Sequence, residues 1–231
     1  MKNLKALRLI LILLTSLSLA ACAIHQRTPV SMMPKPDEKE IEKPDQALLV
    51  ANERFLFWTS PALYALEKRE GIWQQVFDPM KAVIGKNGFA PPGEKREGDG
   101  RTPTGTFGLN LAFGYASQAG TRMPYRQANS DDLWVDDPKS PDYNRWVKQS
   151  ETQAASYEKM KRDDDQYKYG VVIEYNTGPV IPGYGSAIFL HVWKAPGSPT
   201  AGCVAVSEED IVKILGWLDP AAHPVIFINP D

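Results

Sequence analysis

A thiol and an imidazole form the clearest chemical pair in the chain. Cys203 lies in Thr200-Ala201-Gly202-Cys203-Val204-Ala205-Val206, twelve positions after His191, which sits in the apolar run Ala187-Ile188-Phe189-Leu190-His191-Val192-Trp193. A thiol becomes a strong nucleophile only as the thiolate, and a neighbouring imidazole takes the proton and later hands it to a departing amine. The pair therefore points to acyl transfer. The same residues also fit a blander role, as a small buried hydrophobe and a core histidine in an apolar stretch. The other cysteine, Cys22, is expected to be consumed by lipid, which leaves Cys203 without a disulfide partner and free to react.

Few other residues compete for a chemical role. Asp163-Asp164-Asp165 has no His or Glu pattern beside it and reads as a solvated turn, so no metal site is expected, and nothing calls for a cofactor. His223, next to Pro224, opens the last apolar run and reads as structural. The chain carries 26 Lys and Arg against 28 Asp and Glu, and three of the basic residues fall in the N-terminal leader, so no basic face for nucleic acid is implied.

The N-terminus speaks to compartment. Lys2, Lys5 and Arg8 precede the apolar stretch Leu9 to Leu14, and Leu19-Ala20-Ala21-Cys22 ends it in small residues. A charged start, a short apolar core and small closing residues describe a secretory signal rather than a membrane span. Leu19-Ala20-Ala21-Cys22 also resembles the bacterial lipobox, which implies cleavage after residue 21, acylation of Cys22 and attachment to the membrane through lipid. Ordinary cleavage with Cys22 left as a stray thiol is the alternative. By the lipoprotein sorting rule, Ala23, not being Asp, implies the outer membrane facing the periplasm. Residues 22–46 shift to Pro, Lys, Glu and Asp, with Pro29, Pro34, Pro36 and Pro44 spread among charges. Such a segment buries too little apolar surface to offset its ordering entropy and is expected to be a flexible tether.

Residues 47–231 are long enough for one domain with a real core. Short apolar runs at 47–50, 55–59, 62–66, 71–77, 81–84, 105–111, 170–175, 187–193 and 225–228 predict strands, with Glu70-Gly71 as a hairpin turn. One helix is clear. Ser207 caps Glu208-Glu209-Asp210, and Ile211, Ile214, Leu215 and Leu218 form an apolar stripe that stops at Asp219-Pro220. The expected fold is mainly β, with one C-terminal helix. Residues 119–169 are polar and aromatic without strand alternation; a helix is expected over 151–162, and the stretch reads either as a lid over a cleft or as a surface insertion held by Trp134 and Trp146.

Glu97-Gly98-Asp99-Gly100-Arg101-Thr102-Pro103-Thr104-Gly105-Thr106-Phe107, then a strand carrying His191, then Gly202-Cys203 and a capped helix, resembles the L,D-transpeptidase catalytic domain (YkuD-like). The resemblance covers 47–231 and implies a β-sandwich sheet with a C-terminal helix and a loop or helical insertion. It departs from the family pattern at Ala201, which replaces the motif's histidine, at Ala205, where many members have Arg or Asn, and in a shorter His-to-Cys spacing. It implies peptidoglycan stem peptides as partners: Cys203 attacks the L-centre carbonyl of the third stem residue, His191 serves as general base and acid, and an amine of a neighbouring stem resolves the thioester into a 3-3 cross-link. Backbone N–H groups of Gly202 and Cys203 are expected to hold the oxyanion. Thr200 or Ser186 is expected to orient His191, and Trp193 and Tyr184 to line the cleft.

Three other readings use the same residues. Water in place of the acceptor amine gives a carboxypeptidase or amidase that trims stems or releases a wall-linked protein. A non-catalytic, lipid-anchored wall-binding module is the second, since fold does not fix function. A sortase-like site is the weakest, because no Arg follows Cys203.

Overall fold

In the computed structural model, residues 43–54 and 59–230 are described. The expected leader and tether, with Cys22, lie outside them, as does most of the run 55–59. Among the described residues the chain is mainly β with one α-helix, as its many short apolar runs imply. The strands are β1 (Gln46–Arg54), β2 (Thr59–Arg69), β3 (Ile72–Gln75), β4 (Met80–Lys81), β5 (Gly105–Gly114), β6 (Tyr125–Gln127), β7 (Asp132–Val135), β8 (Trp146–Lys148), β9 (Tyr157–Lys159), β10 (Tyr169–Ile173), β11 (Phe189–Val192), β12 (Val204–Val206) and β13 (Val225–Ile228); helix α1 (Glu208–Trp217) lies between the last two.

The main sheet runs β12-β11-β10-β5-β13-β1-β2-β3. It curls on itself, because β4 pairs with β2 at one end while Val83, two residues on, bridges Ala205 of β12 at the other. The strand period of two divides each strand between faces. Leu48 and Val50 point into the larger core with Leu190, Val192, Val204 and Val206, whereas Ala47 and Leu49 pack on the other face with Tyr64 and Phe227. The Glu70-Gly71 turn has φ of 52° and 78°, the left-handed pair that a tight hairpin between twisted strands requires. Helix α1 is capped as expected: the Ser207 hydroxyl accepts the Asp210 N–H, and Ile211, Ile214, Leu215 and Leu218 bury against the larger core.

The insertion corrects one expectation. Residues 151–162 are not helical: a single 3-10 turn at Gln149–Glu151 leads into β9, and a second sheet forms in the order β8-β7-β9. Asp132 organises it. Its carboxylate, 1% exposed, accepts from the Asn129 N–H (2.8 Å), Trp146 Nε1 (2.9 Å) and Arg126 (3.0 Å). Buried charge is tolerated only when hydrogen-bonded in this way.

Candidate active site

Strand pairing places the thiol and the imidazole. β11 and β12 are parallel, with Leu190 opposite Val204 and His191 opposite Ala205, so Cys203 enters beside Phe189. Period-two alternation puts Phe189 and His191 on one face, and Cys203 joins Phe189 there. Cys203 and His191 are thus diagonal neighbours on adjoining strands. Both are buried, Cys203 to 7% and His191 to 4% exposure. Sγ donates to the Ala187 carbonyl (3.2 Å) and accepts the Phe189 N–H (3.4 Å). His191 Nδ1 lies 2.8 Å from the Val192 carbonyl. A carbonyl only accepts, so Nδ1 carries the proton and Nε2 keeps the basic lone pair. Among the described residues no hydrogen bond joins Sγ to the ring; the fold brings the two onto one face of adjoining strands.

The turn before Cys203 is built from hydroxyls and close backbone approach. Thr200 Oγ1 donates to the Cys203 carbonyl (2.7 Å) and accepts the Gly202 N–H (3.1 Å). A Cβ on Gly202 would stand 2.9 Å from the Arg101 carbonyl oxygen, so a side chain there would collide with the glycine-rich segment. Thr102 of that segment accepts the Gly85 N–H (2.8 Å) and points its hydroxyl at the Cys203 carbonyl (3.4 Å). Ala205, where the family pattern has a larger side chain, is fully buried opposite His191 and bonded through its backbone to Val83.

Several expected roles fall elsewhere. Neither Thr200 nor Ser186 orients His191: Thr200 serves the Cys203 turn, and Ser186 Oγ donates to Glu97 (2.7 Å). The orienting group is the Val192 carbonyl, a backbone atom that no side-chain pattern announces. The Gly202 N–H, expected to face an oxyanion, is turned to Thr200. Trp193 lines a cavity of about 590 Å³ with Phe77, Met80 and Ser207, and neither Cys203 nor His191 borders it. Tyr184 lies on the surface with the Arg96 guanidinium 4.2 Å above its ring. Of the three consecutive aspartates, Asp164 pairs with Arg162 (2.6 Å). Among the described residues no group of three His, Cys, Asp or Glu is placed to hold a metal ion.

The insertion supplies neighbours of the thiol that the sequence did not assign to the site. Trp134, Met160 and Tyr167 pack with Cys203 and Phe189 in one cluster. The Tyr167 ring stands edge-on to His191 (5.1 Å between centroids) and to Phe189 (5.5 Å), and its hydroxyl donates to Glu158. Arg162 lies 5.1 Å over the same ring. The aromatic content of 119–169 was the available signal; that Tyr167 in particular meets His191 follows only from pairing of distant strands.

Burial sets the charge state. It pushes the Cys203 thiol up to about 12, with Glu158 adding to the effect and the Phe189 N–H opposing it. It pulls His191 down to about 4, against the Val192 and Gln166 carbonyls that favour the protonated ring. At neutral pH both groups are uncharged. His191 lies below its ordinary 6.5, so the unfolded chain binds the extra proton between 6.5 and about 4, and stability falls as pH drops through that window. Cys203 lies above its ordinary 9.0, so the unfolded chain loses its proton first, and stability falls as pH rises from 9.0 towards about 12. Calorimetry across pH should show Tm highest between those windows, with His191→Gln flattening the acid limb and Cys203→Ser the alkaline limb. Limbs unchanged in both variants would contradict the burial of these groups.

Comparison with known proteins adds the following. The family model described as YkuD, the L,D-transpeptidase catalytic domain, matches residues 54–227. Among solved structures, the helical cell shape determining protein Pgp2 from Campylobacter jejuni is similar at 15% identity and a TM-score of 0.40, covering 84% of this chain and 52% of that one. The chain thus spans about half the length of that protein. No match was found among curated proteins.

Proposed function

The chain belongs to the L,D-transpeptidase catalytic domain family, which acts on peptidoglycan stem peptides, and we propose that it forms 3-3 cross-links through a thioester on Cys203. The observation that carries this reading is the diagonal placement of Cys203 and His191 on one face of adjoining strands. His191 Nε2 takes the thiol proton, and Sγ attacks the L-centre carbonyl of the third stem residue in a tetrapeptide donor. The tetrahedral oxyanion is held by the Cys203 N–H, because that of Gly202 is committed to Thr200. Collapse expels the D-Ala amine, which takes the proton from His191, and leaves the acyl group on sulfur. An acceptor amine then gives its proton to His191, attacks the thioester and frees Cys203. Residues 119–169 cover this site, since Trp134 and Tyr167 bury the thiol. Muropeptide analysis of sacculi incubated with the protein tests the reading. Cross-linked dimers through the third residue are expected; trimmed tripeptides alone would mean that water is the acceptor, and unchanged stems would mean a non-catalytic module.

We also propose that the chain is exported and lipid-anchored at Cys22 in the outer membrane, on the strength of the lipobox-like Leu19-Ala20-Ala21-Cys22. Cys22→Ser is expected to abolish metabolic labelling by an alkynyl fatty acid and to leave an uncleaved precursor. Equal label on both proteins would exclude the anchor.

A further inference from the structure

Three consecutive residues ahead of β11 are each tied down by a distant side chain. The Gly185 N–H donates to the Tyr143 hydroxyl (3.0 Å), Ser186 Oγ to Glu97 (2.7 Å) and the Ala187 N–H to Asn144 Oδ1 (3.1 Å). Ala187 is buried at φ 53°, a left-handed conformation unfavourable for a residue with a side chain. Such strain persists only where the surroundings over-determine it, and it clusters at functional positions. Asn144 is the determinant here. Its Oδ1 also accepts Trp134 Nε1 (2.8 Å), and its Nδ2 donates to the carbonyls of Tyr175 (3.1 Å) and Asn176 (2.7 Å), so the amide cannot turn without leaving buried groups unpaired. What the strained residue presents is its carbonyl, 3.2 Å from Cys203 Sγ.

We propose that Asn144 is a positioning residue for the nucleophile: by holding Ala187 it aims the 187 carbonyl at Sγ and parks the thiol, protonated, away from His191. A carbonyl oxygen attracts an S–H and repels a thiolate, so the parked thiol is a poor nucleophile. Proton transfer to His191 requires Sγ to leave that carbonyl, which couples activation to arrival of the donor. The significance of this rests on Cys203 being the nucleophile, but the geometry is testable without turnover.

The S–H stretch in the infrared reports hydrogen bonding of a thiol, and subtracting the spectrum of Cys203→Ser isolates the Cys203 band in the full chain. The wild-type band should lie below that of the same thiol in the urea-unfolded protein. Asn144→Ala should shift it up towards the unfolded position. A wild-type band already at the unfolded position overturns the proposal even if Asn144→Ala does not fold. So does an unshifted band in folded Asn144→Ala, because a merely structural role changes Tm without moving this frequency. Acyl transfer retained by Cys203→Ala would instead defeat the reading of Cys203 as nucleophile, leaving the infrared outcome to stand by itself.

Discussion

Cys203→Ala is expected to abolish acyl transfer, and His191→Ala to reduce it by a similar factor, on the order of 10⁴-fold or more, with the fold retained. Removing the thiol removes the covalent path, while removing the imidazole strands a thiol whose burial already holds it up to about 12, with no base to take its proton. The two losses should not add. Residues that act on one proton and one bond fail as a unit, so the double variant should be no slower than either single one. Neither substitution breaks a charged pair, because both groups are neutral at pH 7. Intact-protein mass spectrometry with a tetrapeptide donor checks the chemistry. The acyl adduct should appear on wild type and be missing from Cys203→Ala; stems processed by wild type with no adduct at any time point, or an adduct on Cys203→Ala, would remove Cys203 from the mechanism.

Trp134→Ala should be the most damaging single change in the insertion. The indole is 6% exposed, stands edge-on to Phe189 (4.9 Å between centroids) and donates to Asn144, so truncation opens a cavity directly over the Cys203 cluster. Losses of this kind run to about 3–5 kcal/mol. Trp134→Phe keeps most of the volume and gives up mainly the hydrogen bond, about 1 kcal/mol. Urea unfolding measures the cost. Iodoacetamide, read by mass, should label Cys203 faster in Trp134→Ala than in wild type at one pH, because Trp134 packs in the same buried cluster as the thiol. A stability change within about 1 kcal/mol together with unchanged labelling would mean that the insertion is not the cover of this site.

The architecture was legible where its signals are local. The continuous apolar runs Ala47–Val50 and Val225–Ile228, the left-handed Glu70-Gly71 turn and the Ser207 cap with its Ile211, Ile214, Leu215 and Leu218 stripe each depend on residues a few positions apart, and each forms as expected. The helix expected over 151–162 failed for the complementary reason. β8 and β9 are three residues long, too short to show a period, and their pairing with β7 outweighs local propensity. The order of His191 and Cys203, with the glycine-rich segment ahead of them, marked the candidate pair through its resemblance to the family pattern, since a single Cys and a nearby His are by themselves a weak signal. What surrounds that pair was decided only by tertiary structure: the Val192 carbonyl on the imidazole, Tyr167 against it, and Asn144 reaching Ala187 across 43 residues of chain. Backbone carbonyls have no residue type to read, and contacts between a folded insertion and a sheet edge exist only once both surfaces have formed.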